Sequence, residues 1–436
     1  MEYSLQYYWE HYNGKINLPA DLPADKNEFS YLFYKKRGDQ PCYNILKSTD
    51  PANSILSTSY FIGVDWVHEK KLAIYVAPKL NTKPGVSITS IDDWQSIKET
   101  DYLNMLFSCI RHSDVAKEIK ELFEIKWDKP EIEIEQKKDL LTPLLVVQYL
   151  VLVKDIVRKG LKKAYYRVEE NLYSKVKGKV KVSATIKRNL LRNKKLNTFC
   201  SFEEFGLNCV ENRLIKKALV FIRKYLPTYL NIGSEAYIKD LINYISPAFD
   251  TVSDEVELSE IRHTKPNVFY KEYEEAIRLS KLILSRYGYN ISNIEKDTIS
   301  TPPFWIDMSK LFELYVLGLL KDRFQSHVQY HFTHYGNELD FILKSDKYKL
   351  VIDAKYKLKY IDGKIDEDIR QVSGYARLKN VYNFLEKEYP ESIDCLIIYP
   401  DQENGSNSLM DIELLNAGVP SYNGVFKIGV KLPLIS

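Results

Sequence analysis

"ELDFILKSDKYKLVIDAKYK" (Glu338 to Lys357) consists of two apolar, β-prone runs separated by a short polar stretch, the pattern of a hairpin. Each run carries an acid where a buried strand would carry an aliphatic side chain: Asp340 in the first and Asp353 in the second. With Asp346 and Lys347 at the tip, Ser345 faces Tyr348, and counting outward places Asp340 opposite Asp353. Directly opposed residues project on one face with Cβ atoms roughly 5 Å apart. Lys355, two residues beyond Asp353, points to that same face. Leu350, Ile352 and Ala354 form the other, apolar face. A loop of another length shifts the register and undoes the arrangement.

Two opposed carboxylates repel unless a cation sits between them. Mg²⁺, with Mn²⁺ as its substitute, suits the position. It takes oxygen ligands in octahedral geometry and keeps several waters, so two carboxylates and a backbone carbonyl can hold it against a phosphate. There the metal neutralises phosphoryl charge and activates a water, while a lysine positions that water or stabilises the transition state. D-x-K alone says little in a chain with 59 acidic and 62 basic residues. The informative feature is the combination: an acid-bearing strand, a turn, an apolar strand ending in D-x-K, then a helix bearing Gln371 and Tyr375 four residues apart on one face. An ordinary hairpin with solvated charges explains Asp346, Lys347 and Lys349, but not an aspartate flanked by Leu350, Val351, Ile352 and Ala354.

Outward from this stretch, helical and strand-like segments alternate from about residue 300 to the end, an α/β pattern. Residues 136–290 read as mostly helical, with apolar residues at three- and four-residue spacing in "LLVVQYLVLVKDIVRKGLKK" and "ENRLIKKALVFIRKYLPTYL". Residues 28–135 lean toward β structure. "SYFIGVDWV" and "KLAIYVAPKL" form an expected hairpin, and "WDKPEIEIEQKKD" (Trp127 to Asp139) reads as a charged connector. The expected architecture is multidomain α+β: a β-rich N-terminal domain (1–135) that binds a partner, a helical and basic middle region (136–290), and a C-terminal α/β domain (291–436).

The 436 residues suffice for two or three domains with sizeable cores, and 45% apolar with 28% charged residues is ordinary for a globular protein. The longest apolar run, Leu140 to Val153, is interrupted by Thr142, Pro143 and Gln148 and is too short to span a bilayer. The start has neither a basic nor an apolar segment of the kind that makes a signal peptide. Five widely spaced cysteines argue against a disulfide framework or zinc site and fit a reducing cytoplasm. His327, His331 and His334 have no carboxylate at a spacing suited to a shared metal, so "HVQYHFTHYG" reads as strand and loop. Net charge is only +3, but Arg158 to Leu196 holds 14 Lys and Arg against Glu169 and Glu170. Lys187, Arg188, Arg192, Lys194 and Lys195 close that segment. Such a patch serves sequence-independent DNA binding, an acidic partner surface, or solvation alone.

The strand–turn–strand pattern resembles the PD-(D/E)xK nuclease superfamily, through Asp340 and then Asp353-x-Lys355. The Q-x-x-x-Y of Gln371 and Tyr375 is similar to the extension of its RecB-like branch. The preceding helix carries Glu313 in "LFELYV", where many members place an acid near the metal. Leu339 stands where the name-giving proline would be. "PPFWIDMSKLFELYV" resembles the opening of the catalytic domain of McrC, the nuclease subunit of McrBC restriction systems. Tyr165 to Leu219, with its E-E-N-L, N-L-L and E-N-R segments, resembles the McrC middle region, and "SYFIGVDWV…LAIYVAPKL" its N-terminal region. In order, these blocks cover the chain from about 55 to 434.

The resemblance implies a restriction-endonuclease-like C-terminal domain and a Mg²⁺-dependent DNA endonuclease. Asp340, Asp353 and Glu313 would hold the metal, Lys355 would assist the attacking water, and Gln371 and Tyr375 would orient Lys355 or a phosphate. It also implies a partner: a hexameric McrB-like AAA+ GTPase whose hydrolysis the chain stimulates, acting on double-stranded DNA that often bears modified cytosine. The chain itself has no G-x-x-x-x-G-K-[ST] motif, in keeping with a separate NTPase. The alternative is a non-catalytic module that activates an AAA+ NTPase through a vestigial nuclease fold. The intact Asp340, Asp353 and Lys355 weigh against it.

Overall fold

The two runs of the Glu338–Lys357 stretch form strands Asn337–Lys344 and Lys349–Ala354. They pair antiparallel with Phe341 opposite Ile352 and Lys344 opposite Lys349, and Ser345 N donates to Tyr348 O at 2.8 Å across the tip. This is the register expected for a turn at Asp346 and Lys347. The computed structural model describes residues 3–19, 28–33, 40–48, 53–78, 100–110, 112, 115, 118–135, 139–229, 235–256, 271–292, 298–334, 337–357 and 365–434.

The hairpin lies inside a five-stranded sheet ordered Val328–His334, Asn337–Lys344, Lys349–Ala354, Asp394–Pro400, Val425–Val430. The first two pairings are antiparallel and the last two parallel. A parallel neighbour requires a crossover, and helices Ile365–Tyr375 and Lys379–Leu385 lie in that connection. Strands covered on both faces read as continuous apolar runs; Leu350, Val351 and Ile352 are fully buried, as are Leu396, Ile397 and Ile398. Val351 and Ile397 pack with Ile369, Val372, Val381 and Leu385 of the two helices in one core.

The N-terminal residues build a second five-stranded sheet, ordered Ser4–Trp9, Leu72–Ala77, Phe61–His68, Phe304–Asp307, Phe123–Ile125. The hairpin expected between residues 59 and 80 is its centre. A four-stranded sheet, Asn13–Ile16, Ser54–Thr58, Gln40–Leu46 and Glu28–Phe33, adds Ile16, Ile45 and Leu56 to the core around Phe61 and Trp305. Strand Phe304–Asp307 sits between Phe61–His68 and Phe123–Ile125, and Thr298–Thr301 pairs with Ile132–Glu135. Trp305, fully buried, donates from Nε1 to Asp65 Oδ2 at 2.9 Å, where Asp65 also meets Lys126. Asp307, the last residue of its strand, caps helix Met308–Phe324 by accepting from Lys310 N at 3.0 Å.

These pairings correct the expected division into three consecutive domains. Residues 1–141 and 298–436 form one unit and 142–297 another, because 298–307 return into the N-terminal sheets. The connector at Trp127–Asp139 contains a strand, Ile132–Glu135, whose isoleucines are buried and glutamates exposed. That I-E-I-E alternation has the period of a half-buried strand. The helical middle region is also corrected in part. Helices Leu141–Lys159, Val210–Tyr229, Glu235–Ile245 and Lys271–Ser292 are present, but Ala164–Tyr173, Asn197–Gly206 and Lys179–Val180 form a three-stranded sheet. Residues alternate in exposure along much of Ala164–Tyr173, a period of two that dense charge obscures in the sequence. Among the described residues no helix is long and apolar enough to cross a membrane. All five cysteines are buried and unpaired.

Gly63 is a sensitive point of the N-terminal sheet. Its φ is +150°, and a Cβ there would stand 2.0 Å from Phe304 O. Gly63→Ala therefore combines backbone strain with a clash against the strand that leads to Asp307. It is expected to destabilise the protein by about 2–4 kcal/mol in equilibrium denaturation; a loss below about 0.5 kcal/mol would contradict the tight pairing.

Candidate active site

The registers on either side of Asn337–Lys344 put His331, Asp340 and Asp353 in one row across three strands. Strand pairing opens at this row. Toward Val328–His334 it runs to Tyr330–Phe341 and resumes in the same register at Phe332–Leu339; toward Lys349–Ala354 it stops at Phe341–Ile352. His331 adopts φ +52°, a left-handed conformation uncommon for any residue but glycine and out of place within a strand. Ala354 N turns from the ladder to donate to Asp340 Oδ2 at 2.9 Å. The sheet thus replaces strand pairing with side-chain chemistry where the acids stand.

Asp353 is 1% exposed. Lys355 Nζ lies 2.9 Å from its Oδ2, although that buried oxygen has no aligned hydrogen bond. Burial pushes the Asp353 carboxyl up, and the opposing pull of the Lys355 charge does not fully offset it. Asp340 is pushed up further, by burial first and then by the charges of Glu313 and Asp353. Desolvation is the largest influence and tends to lower Lys355, but Asp353, Asp340 and Asp368 together outweigh it and raise the ammonium. Lys355 Nζ also donates to Gln371 Oε1 at 2.8 Å, and Gln371 Nε2 donates to Tyr375 OH at 2.9 Å. Asp353, Lys355, Gln371 and Tyr375 therefore form one connected chain of side chains. The helix that supplies the last two is tied down by Lys357, whose Nζ meets both oxygens of Asp368 at 2.8 and 2.6 Å.

Glu313 projects from the capped helix Met308–Phe324. Its Oε1 lies 2.8 Å from His331 Nε2 and 3.5 Å from Lys310 Nζ. Burial pushes its carboxyl up, but the His331 hydrogen bond and the Lys310 charge dominate and hold it down at about 2. Lys310 also bonds the Tyr330 hydroxyl, and His331 Nδ1 reaches Glu338 Oε1 at 2.8 Å.

All six residues expected at the site lie in this part of the fold: Asp340, Asp353, Lys355, Gln371 and Tyr375 around the opened row, and Glu313 beside it. His331, Lys310 and Glu338 join them without having been expected. The sequence spacing around His331 offers no ligand set, because its carboxylate neighbours come from a helix 18 residues earlier and from the next strand. Lys310 was legible only as the neighbour of Glu313 one helical turn away.

Among the described residues no three carboxylate, imidazole or thiol groups converge as a preassembled metal cluster. The donor chemistry nevertheless fits a hard divalent cation. Two carboxylates oppose each other in a row without strand pairing, and Asp353 Oδ2 is buried without an aligned donor. The five cations Lys187, Arg188, Arg192, Lys194 and Lys195 lie on and after helix Val182–Arg188, in the unit 142–297. All are exposed, as are their neighbours Leu190, Leu191 and Leu196.

The site is thus a mixed α/β sheet with two acids and a lysine gathered at the row where its strand pairing opens. The family described as McrBC 5-methylcytosine restriction system component matches residues 66–400, and the chain belongs to that family. A comparison with curated proteins finds no match. Among solved structures, the chain is similar to one in a half-complex of a tetradecameric assembly of Thermococcus gammatolerans McrB AAA+ hexamers with bound McrC, at 13% identity and a TM-score of 0.38, covering 98% of this chain and 94% of that one. It is also similar to a chain of the Thermococcus gammatolerans McrBC complex, at 15% identity and a TM-score of 0.28, covering 73% of this chain and 87% of that one.

The raised carboxyl of Asp340 has a consequence for stability. Its pKa in the fold lies above that of the unfolded chain, so the folded protein holds the proton more tightly. Its contribution is fully present below the ordinary carboxylate range and is lost as pH rises through the raised pKa. Asp340→Asn removes that loss and keeps an acceptor for Ala354 N. The variant is expected to exceed wild type by about 0.5–2 kcal/mol at pH 7 in urea unfolding, with the gap closing near pH 4. A destabilised variant at pH 7 would mean that the carboxylates do not repel in the fold.

Proposed function

We propose that this chain is the McrC-type nuclease subunit of an McrBC restriction system and that it cleaves DNA phosphodiester bonds at the Asp340–Asp353 row. The observation that carries the reading is the convergence of Asp340, Asp353, Lys355, Gln371 and Tyr375 in the order of a PD-(D/E)xK site with a RecB-like extension. A divalent cation, Mg²⁺ or Mn²⁺, held by Asp340 and Asp353 with Glu313 beside them, would neutralise phosphoryl charge and lower the pKa of a bound water. Lys355, raised by its carboxylate neighbour, stays protonated and acts as a donor, not as a base. It steadies the attacking water or a non-bridging phosphate oxygen. Gln371 accepts from Lys355 and so fixes the ammonium; Tyr375 turns the amide by accepting from its other end.

Membership of a family described as one component of a restriction system supports a partner. We take it to be a hexameric McrB-like AAA+ GTPase that selects the DNA, including sites with modified cytosine, and whose hydrolysis this chain stimulates. The exposed cluster of Lys187, Arg188, Arg192, Lys194 and Lys195 would then neutralise phosphates. Replacing all five by alanine is expected to weaken DNA binding and flatten its salt dependence, by about one unit of log–log slope for each phosphate that is no longer neutralised. An unchanged slope would assign the cluster to the partner or to solvent.

Asp353→Ala is expected to abolish Mg²⁺-dependent cleavage by the reconstituted complex, and retained cleavage would refute the site. Lys355→Ala separates the nuclease from the non-catalytic alternative. It should slow cleavage by about a hundred- to a thousandfold while leaving stimulation of the partner's GTPase intact. A wild-type chain that stimulates hydrolysis but cuts no DNA would favour the alternative.

A further inference from the structure

His331 occupies the acid row, yet the proposed reaction gives it no part. Its backbone is left-handed inside a strand, a strained conformation that persists only where the surroundings impose it. Both ring nitrogens are engaged, Nε2 with Glu313 at 2.8 Å and Nδ1 with Glu338 at 2.8 Å. The ring also stacks on Tyr330, with centroids 3.8 Å apart and planes at 23°. An imidazole held at both nitrogens and one face has little rotational freedom. Its interaction with Glu313 and that of Lys310 both fall on Oε1, and the Tyr330 hydroxyl also hydrogen-bonds this carboxylate.

We propose that His331 is a positioning residue that fixes the Glu313 carboxylate, with Glu338 anchoring the far side of the ring, so that Glu313 can join Asp340 and Asp353 in holding a divalent cation. The role rests on the metal site proposed for the two aspartates and deepens it. Glu313 sits on a helix and the two aspartates on a sheet, so something must set its rotamer relative to theirs. A partner that holds the non-ligating oxygen of a carboxylate does this for the oxygen that remains. The left-handed backbone serves the same end. It turns the imidazole out of the strand's normal alternation toward the helix, at the row where strand pairing with Asp340 is given up.

Calorimetric titration of Mn²⁺ into the full-length chain tests this, using wild type, His331→Ala, His331→Gln, Glu338→Ala and Asp353→Ala, with thermal melting of each. His331→Ala is expected to weaken Mn²⁺ binding about tenfold to a hundredfold without lowering the melting temperature. His331→Gln, whose amide can still donate to Glu313, should recover most of the affinity. Glu338→Ala should lose part of it. Wild-type affinity in His331→Ala, with Asp353→Ala unable to bind, overturns the positioning role and leaves the metal site standing. An affinity loss that tracks a fall in melting temperature also overturns it, as a purely structural effect. If wild type fails to bind Mn²⁺, or Asp353→Ala binds it equally well, the metal site falls and the positioning role with it.

Discussion

The repulsion between Asp340 and Asp353 organises the rest of the site. Two carboxylates on neighbouring strands destabilise a fold unless a cation answers them, and the burial of Asp353 sharpens the conflict. The protein supplies partial answers from three directions. Lys355 approaches one carboxylate, Ala354 N donates to the other, and Glu313, a third acid, is held by Lys310 and a hydrogen bond with His331. None of these satisfies both aspartates at once. Stability is given up at one row of an otherwise well-paired sheet, as is common where a site must be ready for a ligand.

The surrounding architecture makes that concession tolerable. Asn337–Lys344, Lys349–Ala354 and Asp394–Pro400 carry fully buried aliphatic residues next to the row, so the opened pairing is a local defect beside a packed core. The helix bearing Lys310 and Glu313 begins at Asp307, which is both the end of a strand in the N-terminal sheet and the cap of the helix. Tyr356, next to Lys355, donates to the fully buried Glu10 at 2.8 Å. The C-terminal sheet is thereby fixed at two points to the sheets built by the first 141 residues.

Much of this was legible in the sequence. The hairpin register followed from a two-residue tip, because period-two alternation leaves few ways to bury Leu350 and Ile352 together. Glu313, Gln371 and Tyr375 came from resemblance, and the structure brings them to the same region. Local patterns do not carry tertiary returns, however. Nothing in Thr298–Asp307 announces that it completes sheets begun more than a hundred residues earlier, so the domain boundaries were misplaced. The strand at Ile132–Glu135 was hidden by its charges, and the sheet at residues 164–206 by its lysines. His331 was set aside because its carboxylates are distant in sequence; only the fold brings Glu313 and Glu338 to its two nitrogens.

A divalent cation at the Asp340–Asp353 row is the feature on which the proposed chemistry depends. Anomalous diffraction from crystals of the full-length chain grown with Mn²⁺ addresses it directly. The expected result is an anomalous peak between the Asp340 and Asp353 carboxylates, within coordination distance of both and with Lys355 displaced from or reoriented about Asp353. A fully occupied Mn²⁺ elsewhere, with the Lys355–Asp353 pair undisturbed and no peak at the row, would contradict it.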